Sequence, residues 1–494
     1  MTTETPELSS DPVEVRRQKR DLLIAQGLNP YPNSFRRTVE AAALHARYKD
    51  LANGDETTDR VTVAGRVYSS RNSAMFMDLH DASGKVQIFS HKDKTPEEAR
   101  AMLPLIDIGD IIGVEGVVRR TKRGELTVDA ARIVMLCKAL APMPEKYHGV
   151  TDVEVKYRRR YLDILVNEES RERFRARCRI IAKIRGFMAE EGFLEVETPM
   201  LHPIYGGATA EPFVTHHNAL DQNMFLRIAP ELYLKRVLVS GLSDRVFEVN
   251  RNFRNEGLST RHNPEFTMLE AYWAYADYTD AMDLVERMFG ALVKMLNGGT
   301  AVAYGEHRID FAGSFKRLSM PEAVKEKTGI DFLALASDED ARDAAAKAGF
   351  EIEQTMSWGE TLAFLFEETM EADLIQPTHV IDFPKDVSPF AKTSPKDLRL
   401  VERFETYCNG WEICNAFSEL NDPDEQRRRM VEQVETAHAR GETSRELDAD
   451  FLEAMDQGMP TAGGLGIGID RLIMILTDAK AIRDVILFPT LKKL

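Results

Sequence analysis

Arginines, a histidine and a phenylalanine near the middle of the chain form a group that could bind phosphate and a base. Arg254 ends a short strand-like run, and the loop that follows carries Arg261, His262 and Phe266. Arginine holds phosphate oxygens through charge-assisted hydrogen bonds, and a phenylalanine ring can stack on a base. A salt-bridged hairpin would account for the same residues equally well.

A second group is acidic and spans a predicted turn at 408–410. Its members are Glu402, Glu405, Glu412 and Glu419. If the turn joins two paired strands, the carboxylates of Glu405 and Glu412 converge. Neighbouring carboxylates repel each other unless a hard cation lies between them, and Mg²⁺ bridging a polyphosphate is the obvious candidate. The alternative, glutamates exposed on a helix, is weakened by the apolar neighbours Trp411, Ile413 and Phe417.

A third group is rich in glycine. The run Gly464–Gly468 leads into Asp470, Arg471 and an apolar helix. Its glycines allow a close backbone approach, and Arg471 at the helix start would face a cleft. The alternative is a buried ion pair between Asp470 and Arg471. We expect no dinucleotide-binding fold, because no room remains for a following βαβ unit.

Other common catalytic and metal-binding motifs are missing. The sequence contains no phosphate-loop motif, no His-Glu-x-x-His helix and no Cys-x-x-Cys pair. Four cysteines in 494 residues make no disulfide framework: Cys137, Cys178, Cys408 and Cys414. The N-terminus is polar and acidic, without the apolar core of a signal peptide. We therefore expect a reduced, cytoplasmic enzyme.

The composition indicates a soluble globular protein of more than one domain. The residues are 43% hydrophobic and 29% charged, and no apolar run is long enough to span a membrane. A net charge of −16 argues against a nucleic-acid partner. Residues 1–150, however, carry 22 basic and 21 acidic residues. This first part could still bind nucleic acid, or it could belong to an ordinary acidic protein.

The first part of the chain is predicted to be mainly strands. Residues 61–140 contain five strand-like runs, with a short helix at 101–106 after the third. This order fits an OB-fold barrel, although another small barrel or a sandwich would give a similar pattern. A helix over 14–28 precedes the strands, and the proline-containing segment 140–144 follows them.

Helices and short strands alternate irregularly in the rest of the chain. Runs at 224–228, 245–249 and 266–270 lie too close together for helical crossovers, so we predict a largely antiparallel sheet. Ser170 can cap a helix, and a strand is predicted over 193–199. The apolar stripe of that helix is predicted to be Phe174, Cys178, Ile181, Ile184 and Met188. The arginines of 158–160 and 171–179 are interpreted as a solvated helix face, with a phosphate-facing surface as the alternative.

Taken in order, these groups resemble the three motifs of class II aminoacyl-tRNA synthetases. Gly192–Pro199 resembles motif 1, the dimer element, and Gly466–Arg471 resembles motif 3. Motif 2 is matched by Phe253–Glu256 together with Arg261–Phe266. The barrel resembles the anticodon-binding OB domain of the subclass for Asp, Asn and Lys. Four further segments are similar to the bacterial-type lysyl-tRNA synthetase family: Arg16–Pro32, Gly206–Ala208, Arg227–Arg236 and Asn415–Pro423.

This resemblance implies an α+β fold, with a five-stranded OB-fold barrel and a catalytic domain whose mainly antiparallel sheet is flanked by helices. The implied segments are an N-terminal helical extension, the barrel, a linker and the catalytic domain, at 1–60, 61–140, 141–170 and 171–494. An acidic helical insertion is expected at about 316–375. The implied activity is ligation of L-lysine to tRNA(Lys) with ATP, by a homodimer.

The resemblance also assigns roles in a lysine pocket. Glu231 and the Gly207 backbone would hold the α-amino group, and Arg254 and Asn415 the carboxylate. Glu419 and Tyr272 would take the ε-ammonium, and Phe417 would line the pocket. Two carboxylates for two cations and an arginine for the anion form a complementary set.

For ATP, the resemblance implies contacts from Arg254, Glu256, Arg261, His262, Phe266 and Arg471, with Mg²⁺ held by Glu405 and Glu412. Arg254 and Arg471 would be the catalytic arginines. In the barrel, the implied anticodon contacts are Arg71, Phe76, Gln87 and Glu125. The alternative for Phe76 is a core phenylalanine. One departure is Glu211, where many relatives carry a basic residue.

Three other functions stay open. The first is an aspartyl- or asparaginyl-tRNA synthetase. The second is a paralogue that transfers lysine to a protein, although such relatives usually lack the barrel. The third is a non-catalytic tRNA-binding protein, which would be expected to lose Glu405, Glu412, Arg254 or Arg471, and all four are present.

Overall fold

The computed structural model describes residues 9–144, 151–208, 210–439 and 446–493. It divides into two compact units, Met1–Val150 and Thr151–Leu494. Residues 145–150, within the predicted linker, lie outside the described part.

The first unit is a closed barrel of five strands in the order β1-β2-β3-β5-β4, which confirms the predicted OB-fold. Neighbouring strands are antiparallel except for β3 and β5. The elements of this unit are α1 (Pro12–Ala25), α2 (Ala41–Arg47), β1 (Glu56–Arg71), β2 (Phe76–His80), β3 (Lys85–Phe89), α3 (Glu97–Ala101), β4 (Ile111–Arg120) and β5 (Leu126–Cys137).

Period-two alternation builds the barrel. Along β1, Val61, Val63 and Val67 point into a core of apolar side chains, while the residues between them are partly exposed. The strand begins at Glu56, inside the segment predicted as a helical extension. Glu56 lies opposite Arg119 in the β1–β4 register, and backbone pairing of this kind requires no apolar side chain. Hydrophobic patterning therefore misses this first part of the strand.

The second unit is built on an eight-stranded sheet with the order β14-β15-β16-β17-β18-β11-β10-β6. Only β14–β15 and β10–β6 pair in parallel, so the predicted mainly antiparallel sheet is confirmed. The strands of the whole second unit, including five outside the main sheet, are β6 (Leu194–Glu195), β7 (Leu201–His202), β8 (Val214–His217), β9 (Gln222–Leu226), β10 (Arg245–Phe253), β11 (Glu265–Ala274), β12 (Ala301–Tyr304), β13 (His307–Asp310), β14 (Lys316–Ser319), β15 (Thr378–Pro384), β16 (Leu400–Cys408), β17 (Trp411–Ser418) and β18 (Ala462–Gly468).

The helices of the second unit flank this sheet. They are α4 (Val153–Arg158), α5 (Arg160–Val166), α6 (Glu168–Glu190), α7 (Glu231–Val239), α8 (Tyr278–Asn297), α9 (Met320–Thr328), α10 (Asp338–Lys347), α11 (Trp358–Thr369), α12 (Pro423–Ala439), α13 (Ala449–Asp456) and α14 (Ile469–Leu476). Side chains of α6, α8 and α14 pack on one face of the sheet to form the largest apolar core. The opposite face carries two smaller apolar clusters together with the polar side chains of the cavity. Within the described residues, no helix is long and apolar enough to cross a membrane.

Several local predictions were wrong. The run 224–228 contributes β9 to a separate sheet of three strands, β7-β9-β8, and the predicted strand over 193–199 shrinks to two residues. Two helices, α4 and α5, lie inside the predicted linker. The acidic insertion does contain three helices, but its first strand, β14, joins the edge of the main sheet.

The helix α6 also differs from its prediction. It begins at Glu168 rather than after Ser170, whose hydroxyl is buried and donates to Asp163 Oδ1 at 2.9 Å. Cys178 is exposed, and Ile180 takes the buried place instead. The neighbouring arginines are not a purely solvated face, because three of them are buried: Arg160, Arg173 and Arg177.

Candidate active site

A cavity of about 400 Å³ opens on the polar face of the main sheet. All the catalytic-unit residues that the resemblance placed in the lysine, ATP or Mg²⁺ site line it: Gly207, Glu231, Arg254, Glu256, Arg261, His262, Phe266, Tyr272, Glu405, Glu412, Asn415, Phe417, Glu419 and Arg471. Segments that lie far apart in the chain thus meet in one place.

Strand register explains why these residues meet. One row of directly opposed residues crosses four strands as Tyr272, Gly464, Phe417 and Arg403. A second row, two residues along, holds Glu270, Gly466, Asn415 and Glu405. Because side chains alternate between the two faces of a sheet, both rows face the cavity.

The glycines of β18 leave room for the polar side chains. A Cβ atom added to Gly464 would lie 1.7 Å from Glu419 Oε1 and 2.8 Å from Tyr272 Cε1. Any side chain at this position would therefore displace both residues. The glycine run leaves the floor of the cavity open. This agrees with the prediction that its glycines allow a close approach to the backbone.

Two carboxylates and one ammonium group form the innermost part of the site. Glu231, at the start of α7, and Glu419, just after β17, are both buried. Lys235 lies one helical turn after Glu231, and its Nζ atom is 2.6 Å from Glu231 Oε1 and 2.5 Å from Glu419 Oε2. Lys235 was not predicted from the sequence, although its spacing of four residues from Glu231 is a usable signal of an ion pair on a helix.

Glu419 retains capacity for a further partner. Its Oε1 atom is buried and accepts no hydrogen bond from the described residues. Burial raises the pKa of Glu419 above its usual range, and the Lys235 ammonium opposes that rise. The neighbouring Glu270, also missed from the sequence, accepts a hydrogen bond from the Tyr272 hydroxyl at 3.1 Å, and burial followed by the charge of Glu231 raises its pKa to about 8. Such a group of carboxylates suits a cationic ligand.

Arg254 faces the cavity directly after β10. Its guanidinium carbon lies 5.2 Å from the centre of the Phe266 ring, and its Nε atom is buried without a hydrogen-bond acceptor among the described residues. The ion pair of this hairpin is instead Arg251 with Glu265, at 3.3 Å. The salt-bridged hairpin therefore accounts for Arg251 and leaves Arg254 available for an anion.

Arg471, in the first turn of α14, contacts both neighbouring polar groups. It donates to the Glu412 carbonyl at 2.8 Å, and its Nη2 lies 3.0 Å from His262 Nε2. Burial and the Arg471 charge lower the pKa of His262, so the imidazole is neutral near pH 7 and can accept this bond. Asp470 pairs with Arg177 rather than with Arg471, so the alternative of an Asp470–Arg471 ion pair is wrong.

Glu405 and Glu412 lie on paired strands, β16 and β17, and both face the cavity. Glu405 pairs with Arg403, which the sequence analysis missed, and accepts from the Tyr407 hydroxyl at 2.6 Å. Burial raises the pKa of Glu405 to about 7; Arg403 lowers it and Glu412 raises it. Two converging carboxylates fit a hard cation, but no group of three or more potential protein ligands was found in the described part of the chain. Phosphate oxygens would have to complete the coordination.

Three of the four barrel residues, Arg71, Phe76 and Gln87, lie on β1, β2 and β3, and Glu125 directly precedes β5. Phe76 is half-buried on the face opposite the buried Met77, and its ring centre is 4.9 Å from that of Phe89. Gln87, also half-buried, accepts from Thr127 at 3.1 Å. Arg71 pairs with Asp78 at 3.3 Å, and Glu125 pairs with Lys85 at 3.1 Å. Phe76 is therefore not one of the buried residues of the barrel core.

Comparison with known proteins agrees with this geometry. Residues 152–492 match a family model described as tRNA synthetases class II (D, K and N), and residues 61–136 match one described as an OB-fold nucleic acid binding domain. Curated relatives named "Lysine--tRNA ligase" are similar over almost their full length. One from Sinorhizobium medicae is 69% identical over 99% of this chain and 98% of its own.

Two further relatives have the same name and lower identity to this chain. The relative from Rhizobium leguminosarum bv. trifolii is 67% identical over 98% of this chain and 97% of its own. The one from Listeria monocytogenes is 47% identical over 100% of this chain and 99% of its own. With the family model covering more than half of its length, the chain belongs to the class II tRNA synthetases, in the branch of the lysine–tRNA ligases.

Proposed function

We propose that the chain activates L-lysine with ATP to lysyl-adenylate and transfers the lysyl group to the 3′ end of tRNA(Lys). The observation that carries this choice is the buried pair Glu231 and Glu419, in which Glu419 Oε1 is without a hydrogen-bond donor among the described residues. Lysine brings two ammonium groups and thus fits two carboxylates. Aspartate or asparagine brings only one ammonium group and would leave one of the two carboxylates without a substrate cation.

Amino-acid-dependent ATP–pyrophosphate exchange, measured with each of the twenty amino acids, tests this function. Lysine should drive exchange, and aspartate and asparagine should not. Exchange driven by aspartate or asparagine instead would assign the chain to the other branches of the subclass. No exchange with any amino acid would favour the non-catalytic alternative, and exchange without charging of tRNA would favour a lysyl-transferring paralogue.

The proposed reaction needs no covalent nucleophile from the protein. The lysine carboxylate, oriented by Arg254 and Asn415, attacks the α-phosphorus of ATP, and pyrophosphate leaves. Arg254 neutralises charge at the α-phosphate, Arg261 and His262 lie near the outer phosphates, and Arg471 meets the γ-phosphate. Phe266 stacks on adenine.

Glu256 belongs to the same nucleotide-binding loop. Mg²⁺, held by Glu405 and Glu412, would supply charge neutralisation between the phosphates.

In the second step a hydroxyl at the tRNA 3′ end attacks the mixed anhydride and AMP leaves. The remaining residues of the lysine pocket would surround the bound lysine: Gly207, Glu231, Tyr272, Phe417 and Glu419.

We expect the protein to act as a homodimer through α6 and the segment 193–199. Leu194 and Leu201 are 43% exposed, beside a helix that packs on the catalytic sheet. Apolar side chains left open next to a motif-1-like segment are typical of an interface. Sedimentation equilibrium at micromolar concentration should give about twice the chain mass of 55.8 kDa. A monomer there would contradict the dimer.

Phe76→Ala should impair tRNA charging without impairing lysine activation. If Phe76 stacks on an anticodon base, its loss removes about 2 kcal/mol of binding, or roughly 30-fold in kcat/KM for tRNA. ATP–pyrophosphate exchange without tRNA should be unchanged, since the cavity lies in the other unit. Charging kinetics and exchange kinetics of the full chain are the two measurements.

A matched control for Phe76 is Phe35→Ala. Phe35 packs against β4, where a Cβ on Gly113 would lie 2.2 Å from its ring. Its loss should lower the unfolding temperature of the barrel with no specific loss of charging. Normal charging by Phe76→Ala, or a loss that only follows barrel unfolding as in Phe35→Ala, would count against anticodon stacking.

A further inference from the structure

The ammonium group of Lys235 is buried beneath the proposed lysine pocket. The side chain has no solvent exposure and is held between Glu231 and Glu419 at 2.6 and 2.5 Å. Three aromatic rings surround the same Nζ atom: Phe390, Phe417 and Tyr272 have their centres at 4.9, 5.5 and 6.0 Å. Lys235 does not line the cavity itself, whereas both of its carboxylate partners do.

We propose that Lys235 is a positioning residue for the amino-acid substrate: it bridges Glu231 and Glu419 and holds them at a fixed separation, and its charge favours the carboxylate form of Glu419, ready for the two ammonium groups of lysine. This inference rests on the proposed function. In this role, the side chain of Lys235 takes part in recognising the free lysine substrate. Neither carboxylate can fulfil this role alone.

Charge balance is the first argument. Glu231, Glu270 and Glu419 gather in one buried group, and three carboxylates at close range repel one another. The Lys235 ammonium opposes protonation of Glu419, so its removal would leave Glu419 protonated to higher pH. A protonated Glu419 would offer the substrate ammonium a neutral acceptor instead of a charged one, and the hydrogen bond would weaken.

Geometry is the second argument. Glu231 belongs to α7 and Glu419 follows β17, so no backbone hydrogen bond fixes the distance between their carboxylates. Lys235 contacts one oxygen of each and leaves Glu419 Oε1 without a donor among the described residues. The ring faces of Phe390, Phe417 and Tyr272 hold the ammonium in place through cation–π contacts. These contacts fix the position of Glu419 Oε1, where a substrate ammonium group can bind.

Two other roles predict different results. A purely structural ion pair would tie α7 to β17 and affect stability only. A competing cation would occupy the place of the substrate ammonium, and its removal would tighten lysine binding. The proposed positioning role requires weaker lysine binding after removal.

Lys235→Met, which keeps most of the side-chain volume, separates these roles. We expect the KM for lysine in ATP–pyrophosphate exchange to rise about 10-fold, with the KM for ATP within about twofold of wild type. An unchanged KM for lysine would favour the structural pair, and a lowered KM would favour the competing cation. Either result overturns the proposal.

The pH dependence gives a second readout that a structural role would not move. The charged and titratable groups around Lys235 are Glu231 on α7, Glu270 and Tyr272 on β11, and Glu419 after β17, with Arg227 and Arg254 beyond them. Without the ammonium, the pKa of Glu419 rises further, so raising the pH restores its charge. The ratio of variant to wild-type KM for lysine should therefore fall between pH 6.5 and 8.5. A ratio independent of pH would contradict the ionisation role.

Lys138→Met is the matched control, because Lys138 is also a fully buried lysine held by two carboxylates, Asp107 and Asp110, in the barrel. It should lower stability while leaving exchange kinetics unchanged. If Lys235→Met does not fold, Lys235→Arg keeps the charge but shifts its position, and it should still raise the KM for lysine; a wild-type KM there overturns the proposal. Failure of wild-type protein to exchange with lysine would instead reject the proposed function.

Discussion

Arg254→Ala should lower kcat for lysine-dependent ATP–pyrophosphate exchange by about 100- to 1000-fold, the range measured when one preorganised donor to a developing charge is removed. The guanidinium lies over Phe266 at 5.2 Å and has a buried Nε without a protein acceptor in the described residues. In the proposed mechanism it meets both the lysine carboxylate and the α-phosphate. A group that contacts both reacting partners should affect kcat more than either KM.

Arg251→Ala is the control for this prediction. Arg251 lies on the same hairpin, pairs with Glu265 and does not line the cavity. Its loss should change exchange by less than about threefold, in line with the small contribution of a partly exposed ion pair. An Arg254→Ala protein with wild-type exchange, or an equal loss in both variants, would remove Arg254 from the catalytic site.

The barrel could be predicted because its strands follow a period of two, whereas the residues of the polar face were named from the resemblance to class II tRNA synthetases. In β17 and β18, Asn415, Phe417, Gly464 and Gly466 alternate with buried residues of the core. Such alternation identifies the two faces of a strand before its partners are known. The order of the three motifs then indicated which faces meet, and all the catalytic-unit residues named in this way do line one cavity.

The missed residues have partners that are distant in the chain. Lys235 contacts Glu419, and Arg177 contacts Asp470, in each case across a large part of the sequence. The four-residue spacing from Glu231 indicates an ion pair for Lys235, but this spacing does not show whether the pair is buried or covers a helix surface. The arginines of α6 were misassigned for the same reason, because ion pairs that make their burial possible come from other elements.

Short-range competition accounts for the misplaced helix start. Ser170 has the chemistry of an N-cap, but its hydroxyl donates to Asp163 on α5 instead, and the helix starts three residues earlier than predicted, at Glu168. Hydrogen bonding by serine to a local partner competes with capping. Because α5 lies inside the segment predicted as a linker, the partner could not be foreseen.

Glu419→Gln should raise the KM for lysine by about 150-fold, the upper end of the range for a charge-assisted hydrogen bond. Glutamine keeps the shape of the side chain, so Gly464 can still accommodate it. It removes the charge proposed to meet the ε-ammonium and leaves Lys235 with Glu231 as its only carboxylate contact within 4 Å among the described residues. The upper end applies because both the substrate and Lys235 lose a charged partner inside a buried site.

Lysine-dependent exchange over a wide range of lysine concentration is the measurement for Glu419→Gln, with the KM for ATP as an internal reference. Glu402→Gln, which removes one negative charge from β16 outside the cavity lining, is the matched control and should leave the KM for lysine unchanged. Gly464→Ala provides an independent route to the same effect, since its methyl group would overlap Glu419 Oε1 at 1.7 Å. If Glu419→Gln retained the wild-type KM and kcat for lysine, the ε-ammonium would have to bind elsewhere, and Glu270, beside Tyr272, would be the next carboxylate to test.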